Sequence, residues 1–475
     1  MSERKERTTV KRNVPEYMDA SEKKLYLEEG TIGGLTGAAL GVDPETKRYC
    51  CPKEKLSLNG HKAICGMPGL TLAGTVVSNE IYDAVRKGES FILNAPRVGE
   101  YEVIKNICER RGYHTRIFNL RNACTSDNMY FMQMLRDEGG DADEELRLVQ
   151  AFAKALLENA KLIYMDDYLE EQQLALLTAI ILYVLNDKRQ NKGPFFERVF
   201  CMAADLDVNH KYGEKIFGAI PEKHPAKRFY NLYASSEERL QKDVCNKLFN
   251  KLQIAMPDDI GEAIMDDGKE GHPEDGIDLL MPLREKCAYF VVPPKEIDGW
   301  DWESAGGIVA AFYTLFFMKA ERHISLASGE PVIRTHVLLD DFPKAGYIPQ
   351  FDNLLKAAGK ELPVTITFRN YDELQDIYGT RQRKIIKMSQ TTSWESIIEC
   401  FDMNIYLGNR ELDSTIDYYQ KLLMGDKKEK RYRMAEIFGL KPGEGIAFLK
   451  GLKPFKIEPY CLYNFQALLL EPTND

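Results

Sequence analysis

The sequence predicts an α/β protein: a parallel sheet flanked by helices, with an all-α domain inserted into it. Three observations lead there. Short apolar runs alternate with helical patterns up to about residue 119, as parallel strands joined by helical crossovers do. Helical periodicity then dominates from about 124 to 282, with no convincing strand. Alternation resumes afterwards, and the later strand Val337-Leu338-Leu339 stops at two acids, Asp340 and Asp341. Apolar residues that end at paired carboxylates fit a buried parallel strand delivering acids to the carboxyl edge of its sheet. Ligands bind at that edge in open α/β sheets. The plainer reading is a strand with a solvated acidic end.

Residues 1–54 are polar and broken by glycine and proline, so they read as an arm or a loosely packed lead-in. The first dozen carry a small basic excess, which suits a solvated tail or a basic arm. His61 to Cys65 is the first strand; the turn Gly66-Met67-Pro68-Gly69-Leu70-Thr71 and a helix from Leu72 to Lys87 follow. Ser90 to Leu93 is a second strand. A helix from Glu100 to Arg111 reaches Gly112, a natural stop, and Thr115 to Asn119 is a third strand. In the middle block, Glu144 to Glu158, Glu170 to Asn186 and Ala234 to Leu252 read as helices, and the acidic stretch Asp258 to Asp275 as a loop. Cys287 to Val292 is a strand halted by Pro293-Pro294, and Ser304 to His323 a long buried helix. After the acid-tipped strand come a helix at Phe351 to Gly359, a strand at Val364 to Phe368 and a helix at Tyr371 to Tyr378. The strands Asn404 to Leu407 and Gly445 to Leu449 complete the pattern. The expected division is 1–54 as lead-in, 55–123 and 285–463 as two parts of the sheet domain, 124–284 as the all-α insertion, and 464–475 as a tail.

Composition narrows the classes. A net charge of −10 argues against bulk, non-specific nucleic-acid binding and leaves room for a local basic groove. The 10 cysteines and 7 histidines are scattered without ligand spacing, so no structural metal is expected. No secretory leader is recognised, and reduced thiols in a cytoplasmic setting are the default. The longest apolar stretches, Leu174 to Leu185 and Ala305 to Met318, fall short of the roughly 20 residues that cross a bilayer. Any membrane attachment is therefore expected to be indirect.

Five segments in a fixed order resemble one family. They are Ser90 to Arg97, Gly112 to Leu120, Leu338 to Pro349, Asp402 to Gly408 and Pro442 to Gly445. In this order they are similar to segments of the TraG/TraD-type coupling proteins of conjugative type IV secretion, from about residue 55 to 460. The third resembles the family's Leu-Leu-Asp-Glu-Phe followed by Gly-x-Ile-Pro. The resemblance implies a RecA-like P-loop ATPase fold with an inserted all-α domain, working as a hexameric DNA translocase at the inner membrane. Such proteins hand a relaxase–DNA complex to the secretion channel, and the helical domain helps select that cargo. Asp340 would then hold the water shell of a magnesium ion and Asp341 orient the attacking water. ATP and magnesium are the implied cofactors. A relaxase or another secretion component, DNA held through it, and further copies of the chain are the implied partners.

The chain departs from the family where the chemistry lies. The phosphate loop G-x-x-x-x-G-K-[ST] is matched by Gly66, Gly69, Thr71 and Leu72, with Thr71 in place of the lysine and Leu72 in place of the metal-binding hydroxyl. Backbone amides at a helix start still attract anions, but the charge and the metal ligand are gone. Pro68 removes one further N–H donor. Lys62 sits on the preceding strand and is not expected to substitute. Ala95 stands for an acid, Asp341 for a glutamate and Arg369 for a glutamine. Arg369 is expected to pair with Asp340 or Asp341, or else to contact an anion or a neighbouring subunit.

Three functional readings follow. The first is a non-hydrolysing adapter that recruits protein or nucleoprotein cargo through the helical domain. The second is a divergent ATPase that recruits a replacement cation, such as Lys344 or a neighbour's arginine. The third is a non-catalytic nucleic-acid-binding module, whose signature would be steep salt dependence. Each residue also has a plain structural reading. Gly66 and Gly69 would make a tight turn, Phe229 to Tyr233 would pack rather than stack on bases, and Trp300 and Trp302 would be packing residues.

Overall fold

A computed structural model describes residues 17–66, 73–95, 100–136, 139–164, 169–187, 195–255, 276–293, 301–327, 331–379, 393–408 and 443–459, with isolated positions between 415 and 440. The expected lead-in is folded from residue 17 on. Helix α1 (Ala20–Tyr26) starts at Asp19, whose carboxylate accepts from the Ser21 and Glu22 N–H groups while Glu22 reaches back to the Asp19 N–H. Strands β1 (Leu27–Gly30), β2 (Gly41–Val42) and β3 (Tyr49–Pro52) form a small antiparallel sheet in the order β1-β3-β2. It is fastened to the body through the Val42–Glu458 bridge and an Asn79 Nδ2–H bond to the Ala39 carbonyl, 3.0 Å.

The main sheet has nine strands: β4 (Lys62–Cys65), β5 (Ser90–Asn94), β6 (His114–Asn119), β7 (Cys287–Val292), β8 (Thr335–Leu339), β9 (Val364–Phe368), β10 (Met403–Tyr406), β11 (Gly445–Leu449) and β12 (Phe455–Ile457). Their order is β12-β11-β10-β4-β9-β8-β5-β7-β6. β11 runs antiparallel to β10, and β12 antiparallel to β11; the other pairings are parallel. Both faces of the parallel part are covered. In β7, Cys287, Tyr289 and Val291 join the core on one face, and Ala288, Phe290 and Val292 the core on the other. That double burial is why these strands read as unbroken apolar runs. Helices α2 (Ala73–Lys87) and α3 (Glu100–Arg110) cover one face.

Between β6 and β7 lie α4 (Phe131–Met134), α5 (Ala142–Tyr164), α6 (Glu170–Asn186), α7 (Phe195–Val208), α8 (Tyr212–Gly218), α9 (Pro225–Ala234), α10 (Glu238–Ala255) and α11 (Met281–Arg284). The helix expected over Ala234 to Leu252 starts later, because α9 closes at Ala234 and α10 opens only at Glu238. Phe229, Tyr230 and Tyr233 point into the core, with Tyr230 stacked on Phe217 at 4.3 Å, so the packing reading of this aromatic stretch holds. Helix α12 (Asp301–Leu326) packs along α5 where Gly306 and Gly307 let the two approach at Asn159 and Leu156. Then come α13 (Phe351–Ala358), α14 (Tyr371–Tyr378) and α15 (Trp394–Ile398). The Asp258 to Asp275 loop and Trp300 lie outside the described residues, as do residues 1–16 and the side chain of Trp302. No helix among the described residues is long and apolar enough to cross a membrane.

His61, at the foot of β4, shows how tightly the sheet is tied. Its Nδ1 accepts from the Val364 N–H at 3.0 Å, and its Nε2–H donates to the Leu355 carbonyl at 3.1 Å. The bond accepted at Nδ1 needs the neutral ring, whereas Nε2–H can donate in either form. Burial pushes His61 down to about 4, below its ordinary 6.5. The stabilisation is therefore present above pH 6.5 and lost as pH falls through about 4. The expected loss is roughly 3 kcal/mol. Urea unfolding of wild type and His61→Gln at pH 7 and pH 4 checks this: the gap between them should close in acid.

Candidate functional site

The parallel strands β4, β5, β8 and β9 bring their carboxyl ends to one edge, and the acids at the tip of β8 lie between β5 and β9. Asp340 and Asp341 are buried, with 8% and 7% of their surface exposed, so the expectation of a solvated acidic end fails. A buried carboxylate needs donors. The Thr367 hydroxyl, near the end of β9, donates to Asp340 Oδ1 at 2.6 Å and accepts from the Asp341 N–H at 2.8 Å. Asn94, the last residue of β5, donates Nδ2–H to the Asp340 carbonyl at 2.8 Å, while its buried Oδ1 makes no hydrogen bond. That orphaned acceptor belongs to a residue that neighbours the tip of β8.

Asp341 adopts a left-handed backbone, φ 53°, which turns the chain sharply out of β8. Its carboxylate pairs with Lys344 Nζ at 3.0 Å. Arg369, expected against one of the aspartates, has Glu373 as its partner: Arg369 Nε lies 3.4 Å from Oε1, and the Arg369 N–H donates to Oε2 at 3.1 Å. Glu373 is the third acid of this edge. Burial pushes its pKa up, and the Asp341 carboxylate adds to the rise. Glu373 also raises the Cys65 thiol, after burial, so its charge is felt at the tip of β4.

Gly66 continues β4, its N–H donating to the Phe368 carbonyl at 3.0 Å. A Cβ there would stand 2.9 Å from Leu407 Cβ, so a glycine is required by close packing against the segment after β10. This is a packing role; the turn expected after Gly66 falls on residues 67–72, outside the described residues. Gly69, Thr71 and Leu72 lie outside the described residues, as does the stretch 96–99 that follows Ala95. Lys62 sits at the other end of β4, where its ammonium pairs with Glu80 at 2.6 Å. It therefore cannot serve a phosphate near Gly66.

The loop after the acids is held from the helical region. Asn159 of α5 accepts from the Tyr347 N–H at 2.7 Å and donates to the Tyr347 carbonyl at 2.9 Å. The Tyr378 hydroxyl accepts from the Ile348 N–H at 3.0 Å and donates to the Gly346 carbonyl at 3.3 Å. Gly346 has φ 74°, and a Cβ on it would lie 2.7 Å from the Gly306 carbonyl oxygen and 2.6 Å from Asn159 Oδ1. Only glycine fits a left-handed position that crowded. The sequence reading missed Thr367, Asn94, Glu373 and Asn159. One signal was available: Asn370 caps α14 by accepting from the Glu373 N–H, an Asn-x-x-Glu start that fixes Glu373 beside Arg369.

No protein-family model and no curated protein matches the chain. Solved structures do. The unbound bacterial conjugative coupling protein TrwBΔN70 is 14% identical, with 86% of each chain covered and a TM-score of 0.54. The plasmid coupling protein TrwB in complex with the non-hydrolysable ATP analogue ADPNP is 14% identical over 86% of this chain and 87% of that one, at 0.55. TrwB in complex with ADP and Mg²⁺ is 14% identical over the same shares, at 0.52. The fold expectation is met: a mostly parallel nine-stranded sheet flanked by helices, with a helical region between β6 and β7, is the fold of TrwB.

Proposed function

We propose that this chain is a coupling-protein-like component of a conjugative, type IV secretion DNA-transfer system. In it the chain works as a non-hydrolysing adapter, a pseudo-ATPase that recruits protein or nucleoprotein cargo. The observation that carries the reading is the engagement of the acid edge by the chain's own groups. Asp340 accepts from Thr367, and Asp341 is neutralised by Lys344, the cation a divergent ATPase would need for phosphate. Glu373, on the same edge, engages Arg369, a further cation that a polyphosphate would need. These residues fit a magnesium triphosphate poorly, in keeping with Thr71 and Leu72 in the glycine turn. The helical region would meet cargo, a relaxase or another secretion component, with DNA held through that partner.

One observation favours the second reading, a divergent but active ATPase. The carboxylates persist at the edge, and Asn94 beside them keeps an unsatisfied oxygen. Calorimetry of the purified chain with ATP and Mg²⁺ decides between them. The adapter reading expects no saturable heat at millimolar ATP, for wild type and Asp340→Asn alike. Saturable binding that Asp340→Asn weakens would overturn it and restore the ATPase reading.

A further inference from the structure

The opposite edge of the sheet holds a second charged cluster. Lys62 opens β4 and His336 is the second residue of β8, and both are buried. Glu80 of α2 stands between them, 2.6 Å from Lys62 Nζ and 3.5 Å from His336 Nδ1. His336 Nε2 lies 2.6 Å from Glu89. Lys62, Glu80 and His336 line a cavity of about 520 Å³, walled also by Lys87, Arg334 and Lys360 and by turns of the small sheet. Such a volume suits a small ligand. Six basic side chains and four acids line it, a local positive excess in a chain of net charge −10.

The basic groups of the cavity outnumber its carboxylates. Burial by itself would lower the His336 pKa, but Glu80 and Glu89 outweigh it and raise it, so the site favours the charged ring. Glu89 holds Nε2; Nδ1 has Glu80 at 3.5 Å, a long ion-pair distance for a residue 97% buried. Lys62 brings three N–H donors to a single carboxylate partner. Arg334 donates Nε–H to the Lys360 carbonyl at 3.1 Å, and its Nη2 lies 3.4 Å from where a Cβ on Gly60 would stand. Two of the acids are already committed: Glu80 to Lys62 and His336, and Asp83 to Arg86 and Lys87. Glu54 and Glu361 are the other two, so four carboxylates face six basic side chains.

We propose that this cavity binds a small multivalent oxyanion, a phosphate- or carboxylate-bearing metabolite, whose oxygens accept from Lys62, His336 and Arg334. The site is separate from the acid edge, because it lies at the amino ends of the same parallel strands. Water alone would also satisfy the donors, but it would give no ligand-dependent stabilisation.

The test is thermal unfolding of the full chain at pH 7 in millimolar inorganic pyrophosphate, in citrate, and in sodium chloride of matched ionic strength. One anion, or both, should raise Tm above the chloride control, and the stronger of the two tells phosphate from carboxylate chemistry. The rim double variant Arg334→Ala/Lys360→Ala should weaken that response by roughly tenfold in affinity. Asp340→Asn, at the far edge, should keep it. No rise beyond chloride, or a rise that the rim variant retains, would overturn the proposal and leave a water-filled cavity. A response lost in Asp340→Asn alone would place the anion at the acid edge and overturn it as well.

Discussion

Glu80→Leu should lower the free energy of unfolding by about 4 kcal/mol, since removing one member of a buried ion pair strands the others. Lys62 would lose its partner at 9% side-chain exposure, and His336 one of two. The variant should also flatten the pH dependence at both ends. Glu80 is held at about 2 against an ordinary 4.5: burial opposes this, and Lys62 and His336 outweigh burial. Its contribution is therefore present above pH 4.5 and lost as pH falls towards 2. His336 is raised above 6.5, so its contribution is full below pH 6.5 and lost as pH rises through the folded-state value. Wild type should be best stabilised by this cluster between those limits. Urea unfolding from pH 3 to 9 reads both limbs. A loss under about 1 kcal/mol, with unchanged limbs, would mean that water already screens the cluster.

Asn159→Ala should cost roughly 3 kcal/mol and loosen the turn after the acidic pair. Two hydrogen bonds to Tyr347 disappear, and its N–H and C=O are left buried without these partners. Asn159 is 2% exposed, so water has no easy access to replace it. The effect should be local before it is global. Hydrogen exchange at Tyr347 should speed up most, followed by Ile348, whose N–H keeps its bond to Tyr378. Unchanged protection at Tyr347 would show that Tyr378 and the packing of Gly346 hold the turn by themselves. The interaction matters to function because Asn159 belongs to the helical region proposed to meet cargo, and the turn carries Lys344 and follows Asp341.

The strands that were legible share one property. β7, β8 and β9 are covered on both faces, and so their sequences are continuous apolar runs with sharp ends. The elements that escaped notice are short or polar: β2 has two residues, β12 three, and β1 carries two glutamates. The break between α9 and α10 falls at Ser235 to Glu237, without glycine or proline to mark it. The acids at the tip of β8 could be read from local pattern, but their partners could not. Thr367 lies 27 residues from Asp340, and Asn159 lies 188 from Tyr347. The pairing of Arg369 with Glu373 escaped for a related reason: it depends on where α14 starts.

By itself, the amino-acid sequence determined the layered α/β class and the pair of acids that ends a buried strand. Side-chain period and residue identity are local properties, and they survive in one dimension. Only the tertiary structure decided that Thr367 donates to Asp340 and Lys344 pairs with Asp341, that Lys62 faces Glu80 rather than a phosphate, and that a charged cavity lies at the far ends of the strands. Those outcomes depend on hydrogen bonds and charges acting over a few ångströms between residues far apart in the chain, and folding alone sets those distances.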